Sequence, residues 1–274
     1  MDISFREVSL VDIKVSDVLA AITSGMAPID NTVDGLLAGS PDTTVKGIAV
    51  TFLATQEIIE KARDMGVNLI ISHEGIYFSH RDKRDQLGAD QVYIDKSRLL
   101  EECGMSVIRC HDYIHRQLPD RVTKGLVRVL GWESLEVENR DIVTIVEIPE
   151  MTLQQLISHI KQSLGISHLR YVGHPEMLCR CVGVLVGYRG SGDSVIPIFS
   201  KDGADLVICG EGPEWEAPEY VRDAVYQKKN RALIVLGHAE SESPGMEYYT
   251  ELLQNSFPNI PVHYIKYDPI FRLG

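Results

Sequence analysis

The chain has 274 residues, enough for one large domain or two modest ones, and 44% of them are hydrophobic, enough for a sizeable core. Acidic residues outnumber basic ones by 39 to 27, and the net charge of −12 argues against a nucleic-acid backbone as partner. No 18-residue apolar stretch exists to span a membrane, and the opening MDISFREVSLVDIKV lacks the apolar run of a secretory signal.

In chain order, Ser16 to Met26 predicts a short amphipathic helix, ended near Gly25 and Pro28. Val45 to Leu53 predicts a strand, and Thr55 caps a helix that stops at Gly66. Val67 to Ser72 is a strand of the buried kind, without polar alternation. Strand, helix and strand at this spacing predict a parallel α/β layer. A helix over 92–103, a strand from Met105 to Cys110 and a helix from Arg121 to Leu130 follow. After Gly131-Trp132 the chain restarts, which divides it into a first α/β domain over 1–130 and a second over 131–274.

In the second half, Asp141 to Ile148 predicts a strand and Thr152 caps the helix LQQLISHIKQSLG. Strands are predicted at Leu169–Val172, Arg180–Val186, Asp205–Cys209 and Ala232–Leu236. Helices are predicted at Ser194–Lys201, at Glu219–Lys229 and from about Gly245 to Asn255, before a final strand VHYIKY.

The five cysteines are odd in number and lie largely in apolar runs, which predicts reduced thiols and a cytoplasmic protein. Cys179-Arg180-Cys181 has no second pair to complete a zinc site. The basic run Arg81-Asp82-Lys83-Arg84 is interrupted by acid and reads as solvated surface.

GVNLIISHEG (66–75) can be laid over GADLVICGEG (203–212), and MSVIRCHDYIH (105–115) over ALIVLGHAESE (232–242). Each half thus ends one strand in x-Glu-Gly and another in His-x-x-x-ligand. Glu74 falls on Glu211, His111 on His238, and His115 on Glu242. In parallel sheets the carboxyl ends of strands gather polar side chains around a ligand. Two such units facing each other would share one cleft.

His73-Glu74 is not the helical zinc motif, because the fifth position is Tyr77 and the pair follows a strand. By itself it is either a satisfied strand-end pair or two metal ligands. His111 and His115 share a face if helical, or lie together on a turn above the sheet. His238 and Glu242 repeat that spacing with a carboxylate. Imidazole plus carboxylate suits zinc, manganese or ferrous iron. His80, His159, His168, His174 and His263 fall outside this scheme. Glu211 reads as an orienting residue or a general base. Gly190, Ser191 and Gly192 form either a tight turn or an anion cradle at a helix start.

Together these stretches resemble the NGG-interacting-factor-like dinuclear-metal proteins, often described as GTP cyclohydrolase type-two-like. Asn31–Leu36 resembles that family's Asp-Asn-x-Gly-Leu segment, GVNLIISHEGIYF its strand ending in His-His, and CHDYIH its His-Thr-x-x-Asp element. Arg189–Gly192 resembles its glycine-serine-glycine turn, and GHAESE its closing Gly-His-x-x-x-Glu. The resemblance implies an α/β protein of two similar two- or three-layer domains related by a pseudo-two-fold axis. It implies two divalent ions in the cleft between them, held by His73, Glu74, His115, His238 and Glu242.

Glu74 stands where the family has histidine and His115 where it has aspartate, so carboxylate and imidazole are exchanged and the ligand count is kept. His111 matches the histidine that begins its element. The resemblance also implies a ring-shaped homohexamer. The function expected is hydrolysis of a small phosphorylated or nucleotide-like compound, with Glu211 or His111 taking a proton and Gly190–Gly192 meeting a phosphate. Metal binding without turnover, as an adaptor or regulator, is the alternative.

Overall fold

The computed structural model describes residues 12–272, so most of the opening segment lies outside the described residues. Strands β2 (Ile48–Thr51), β3 (Leu69–Ser72) and β4 (Ser106–Arg109) are parallel neighbours, and every residue in them is buried. Burial on both faces is why these stretches read as continuous apolar runs. After helix α1 (Val15–Thr23), helix α2 (Gln56–Asp64) connects β2 to β3 and starts at Thr55, whose hydroxyl accepts from the Ile58 amide at 3.2 Å. Helix α3 (Gln91–Glu102), capped by Asp90, connects β3 to β4. Two strands flank this trio: β1 (Gly35–Ala38), antiparallel to β4, and β11 (Val262–Tyr264), parallel to β2.

The second sheet contains β5 (Glu136–Asn139), β6 (Thr144–Thr152), β7 (Arg170–Val172), β8 (Leu178–Val184), β9 (Leu206–Cys209) and β10 (Ala232–Val235). Its order is β5-β6-β8-β9-β10-β7. The parallel trio β8-β9-β10 is connected by helices α7 (Gly192–Ser200) and α8 (Ala217–Tyr226), and β7 lies antiparallel on β10. The first sheet has the same plan, with β2-β3-β4 in parallel and β1 antiparallel on β4. The short internal likeness in the sequence therefore extends to the order and direction of these four strands, while beyond them β11 is parallel to β2 and β6 antiparallel to β8.

Alternate residues of the first trio face different cores. Ala49, Ile70 and Val107 face α2 and α3, with Ile58, Ile59 and Leu100. Ile48, Val50, Leu69, Ile71 and Ile108 join a core that also takes Val182, Val184, Leu206 and Ile208 of the second sheet. That shared core includes helix α6 (Leu153–Leu164) and two helices that pack on each other, α5 (Arg121–Val129) and α9 (His238–Ser256). Full burial of each Leu or Ile contributes about 1.5–3 kcal/mol. At the α5–α9 crossing, a Cβ on Gly125 would lie 2.4 Å from Gly245 Cα, so only glycine permits the approach.

Four expectations change. β1 and β5 are strands where none was predicted: β1 is only half-buried, and β5 is a polar edge strand reading Glu-Val-Glu-Asn. β6 runs on to Thr152 instead of ending at Ile148. The last helix begins at His238 instead of near Gly245. Finally, the chain returns to the first sheet as β11, so a division at residue 130 does not separate the strands of the two sheets.

Candidate metal centre

β3 delivers the first pair of polar side chains. Its pairing with β2 continues past its end, with the His73 amide on the Thr51 carbonyl at 3.2 Å and the Glu74 amide on the Phe52 carbonyl at 2.9 Å. This fixes His73, fully buried, with Nδ1 3.1 Å from the Cys110 carbonyl. A carbonyl can only accept, so Nδ1 carries a proton and Nε2 is left facing the cluster. Nε2 has no hydrogen-bond partner, nor has Glu242 Oε2, although the two lie 3.1 Å apart. A buried imidazole nitrogen this close to a buried carboxylate oxygen calls for a positive charge between them, either a proton on Nε2 or a metal ion.

The second element follows β4. His111 to His115 form a single helical turn, α4 (Asp112–His115), so the two imidazoles share a face. The turn is set by Asp34, which accepts the amides of His111 at 2.7 Å, Asp112 at 3.0 Å and Tyr113 at 2.8 Å. His111 Nδ1 meets Asp112 Oδ1 and His115 Nδ1 meets Asp120 Oδ2, each at 2.9 Å. The third element is the first turn of α9. His238 Nδ1 meets Glu211 Oε1 at 2.8 Å, and Nε2 points to Glu242 Oε2 at 3.1 Å.

All four histidines therefore have Nδ1 engaged by an oxygen and Nε2 turned inward. Outer oxygens that fix the tautomer and aim the ring are the usual support of metal-bound histidine. Two carboxylates complete the cluster. Glu242 Oε1 lies 3.7 Å from His115 Nε2. Glu74 Oε1 lies 3.6 Å from His111 Nε2 and 3.7 Å from His238 Nε2. His73 and His111 stack with ring centres 4.6 Å apart. Within the described residues, His73 with His111 and His115, and His73 with Glu74 and Glu242, each place one ligand atom apiece within 4.8 Å of one another. The five residues expected as ligands and His111 thus converge, from positions up to 169 apart in number (73 to 242).

Proton affinities follow from the same packing. Burial, and then His73 and His115 nearby, push His111 down to about 3, so it is neutral. Burial also disfavours charge on His115, but Asp120 and Glu242 outweigh it and lift that histidine to about 9. His238 is likewise lifted to about 9 against burial, by Glu242 and Glu211. Burial opposes the Glu242 charge, yet the surrounding histidines hold its carboxyl well below the usual range. Protons and a metal ion would compete for the same Nε2 positions. Cys110 and Cys209 have their thiols pushed up by burial and do not offer thiolates.

Several contributors were not singled out from the sequence. Arg109, 1% exposed, places Nη2 2.5 Å from Glu74 Oε2 and Nε 3.3 Å from the His73 carbonyl. A charge inside the buried run MSVIRC was the available signal. Asp120, also buried, receives Arg189 at 2.7 Å as well as His115. Gly187 stands against the cluster, where a Cβ would lie 2.2 Å from Glu242 Oε1. His80, set outside the scheme, has its ring 5.3 Å from that of His111. His159 instead bonds the Leu130 carbonyl at 2.9 Å and stacks on Trp132.

The turn 190–192 packs behind Glu211, with the Gly190 amide on the Glu211 carbonyl at 2.9 Å. Ser191 caps α7 through Ser194, and the Gly192 amide donates to Glu216 Oε2 at 2.7 Å. A carboxylate of the chain itself thus lies where an anion was expected. Glu211 gives one oxygen to His238, and its Oε2 has no hydrogen bond among the described residues.

Three comparisons bear on this geometry. A family model described as Duf34/NIF3 (NGG1p interacting factor 3) matches residues 13–269. A protein of Clostridium acetobutylicum named GTP cyclohydrolase 1 type 2 homolog is 26% identical over 266 residues, covering 92% of this chain and 94% of its own. A hypothetical protein of Staphylococcus aureus superposes with a TM-score of 0.75 at 20% identity, covering 95% of this chain and 99% of that one. A Bacillus cereus protein related to NIF3 gives 0.73 at 15% identity, covering 94% and 98%. At those identities the two structures show a shared fold.

Proposed function

Because the chain belongs to the Duf34/NIF3 family, we propose that its histidine–glutamate cluster holds two divalent ions and hydrolyses a small phosphorylated or nucleotide-like compound. The observation that carries this reading is the convergence of four inward Nε2 atoms on two carboxylates, with the buried His73 Nε2 3.1 Å from Glu242 Oε2. The name of the clostridial relative supports the reaction class.

His73, His115 and Glu242 would hold one ion, and Glu74 and His111 the other, with His238 between the two carboxylates. Zinc, manganese and ferrous iron all suit this mixture of imidazole and carboxylate. Divalent ions held there would supply Lewis acidity, lowering the pKa of a bound water and polarising the bond to be cleaved. Glu211 holds His238 in its tautomer with one oxygen and can accept a proton with the other. Phe52, buried beside His73 and His238, excludes water from one wall. Assembly into a ring-shaped homohexamer belongs to the same proposal and is read by analytical ultracentrifugation.

The test is metal analysis of protein purified without added metal, followed by a screen of phosphoesters and nucleotides on metal-loaded protein beside H73A and H238A. Turnover lost in both folded variants is expected. Equal residual turnover in all samples refutes the catalytic assignment. Full metal loading without turnover would favour the adaptor or regulator.

A further inference from the structure

The cluster does not end at the family-like ligands. Past Glu74 the chain folds back so that His80 faces the outer side of the site, its ring edge-on to His111 at 75°. Arg109 secures this loop by donating Nη1 to the His80 carbonyl, while its Nη2 holds Glu74. Glu74, His80 and His111 each place a ligand atom within 4.8 Å of one another. Donors on one ion, at about 2.0–2.2 Å from it, are separated by roughly 3–3.5 Å. Ligand atoms lying within 4.8 Å of one another come to that spacing by a small rotation, which the exposed His80 side chain has room to make.

His80 also differs from the other four histidines in how it is held. Their Nδ1 atoms are each fixed by an oxygen at 2.8–3.1 Å. Among the described residues the His80 ring has a single long hydrogen bond, from Arg109 Nη2 to Nδ1 at 3.4 Å. Such a ring can swing onto an ion and off again. Glu74, meanwhile, is shared: Arg109 takes Oε2, leaving Oε1 for the cluster.

Resting on the dinuclear reading above, we infer that the two ions are unequal and that His80 is a ligand of the outer one. The inner position, lined by His73, His115 and Glu242, is buried and binds tightly. The outer position is a two-histidine, one-carboxylate set made by Glu74, His80 and His111, a set that leaves coordination positions open. The buried Arg109 charge beside its only carboxylate weakens it, and the exposed His80 makes it exchangeable. The outer ion is then the one that a substrate meets.

The experiment is calorimetric titration of zinc into the full-length, chelator-stripped protein, with bound zinc counted by mass spectrometry, for the wild type, H80A and H80Q. Thermal melts check that the variants fold, as expected for an exposed side chain. The wild type is expected to bind two zinc ions with distinguishable affinities. H80A and H80Q should weaken the lower-affinity event at least tenfold and leave the tighter one within twofold. A folded H80A that titrates like the wild type overturns the assignment and leaves the dinuclear reading standing. One ion bound in both proteins also overturns it. No zinc bound by the wild type would sink the metal reading itself.

Discussion

Replacing Gly187 with alanine disturbs the centre without removing a ligand. Gly187 has φ +58, and a Cβ there would lie 2.2 Å from Glu242 Oε1, 3.0 Å from its Cδ and 3.2 Å from His238 Nε2. Real Cβ atoms are essentially never found closer than 3.0 Å to such a neighbour, so Glu242 or the turn must give way by about 1 Å. Displacing a ligand or its support in this way costs on the order of 10–100-fold in metal affinity. The left-handed backbone adds about 1–2 kcal/mol of destabilisation. Restricting the unfolded chain returns about 0.4–1 kcal/mol of it.

Gly66→Ala separates the two effects, because Gly66 has φ +75 and nothing within 4 Å of its absent Cβ. It lies before β3, at the opposite end of that strand from His73. The assay is zinc calorimetry on chelator-stripped protein, paired with urea denaturation. Both variants should lose similar backbone stability, while only G187A loses 10–100-fold in zinc affinity. Equal zinc affinities in the two variants would refute the placement of Gly187 against Glu242.

Gly125→Ala should destabilise the protein by about 1–3 kcal/mol in urea, because its Cβ meets only backbone, Gly245 Cα at 2.4 Å and the Pro244 carbonyl oxygen at 2.5 Å. Zinc affinity should fall with it, since α5 is capped by Asp120, which holds His115, and α9 carries His238. In chelator-stripped protein, His115 and His238 have folded pKa values of about 9, above the ordinary 6.5. Their stabilisation is complete below pH 6.5 and disappears as pH rises through about 9. His111 works in the opposite sense: held at about 3, it opposes folding as pH falls below 6.5. The stripped protein should therefore lose melting temperature between pH 7 and 9.5, while zinc-loaded protein changes little and apparent zinc affinity rises. Parallel pH profiles for the two forms would contradict this.

What could be read from residues alone was whatever two buried faces or a local cap dictate. β9 and β10 are apolar throughout and β2 and β3 are apolar up to a final Thr51 or Ser72, so they stood out. Thr55 and Thr152 marked helix starts because each hydroxyl accepts an amide of the next turn. β1 and β5 carried no such mark: half-burial gives no alternation, and an edge strand of Glu-Val-Glu-Asn looks like a loop. The first turn of α9 was hidden too. GHAESESPG has the composition of a polar turn, with Pro244 and Gly245 inside what becomes a helix. Within that turn Glu242 faces both His238, four residues before it, and His73, and the contact with His73 is one no local pattern records.

The sequence by itself determined the α/β class, the repeated strand endings and the residue types able to hold a cation, since these depend on periodicity, caps and side-chain chemistry within a few positions. Tertiary structure alone decided that β11 completes the first sheet. It also decided that Arg109 and Asp120 brace Glu74 and His115 and that His80 joins the edge of the cluster. The reason is that these contacts arise where α5 and α9 cross and strand ends meet across one shared core, and spacing along a chain carries no measure of such distances.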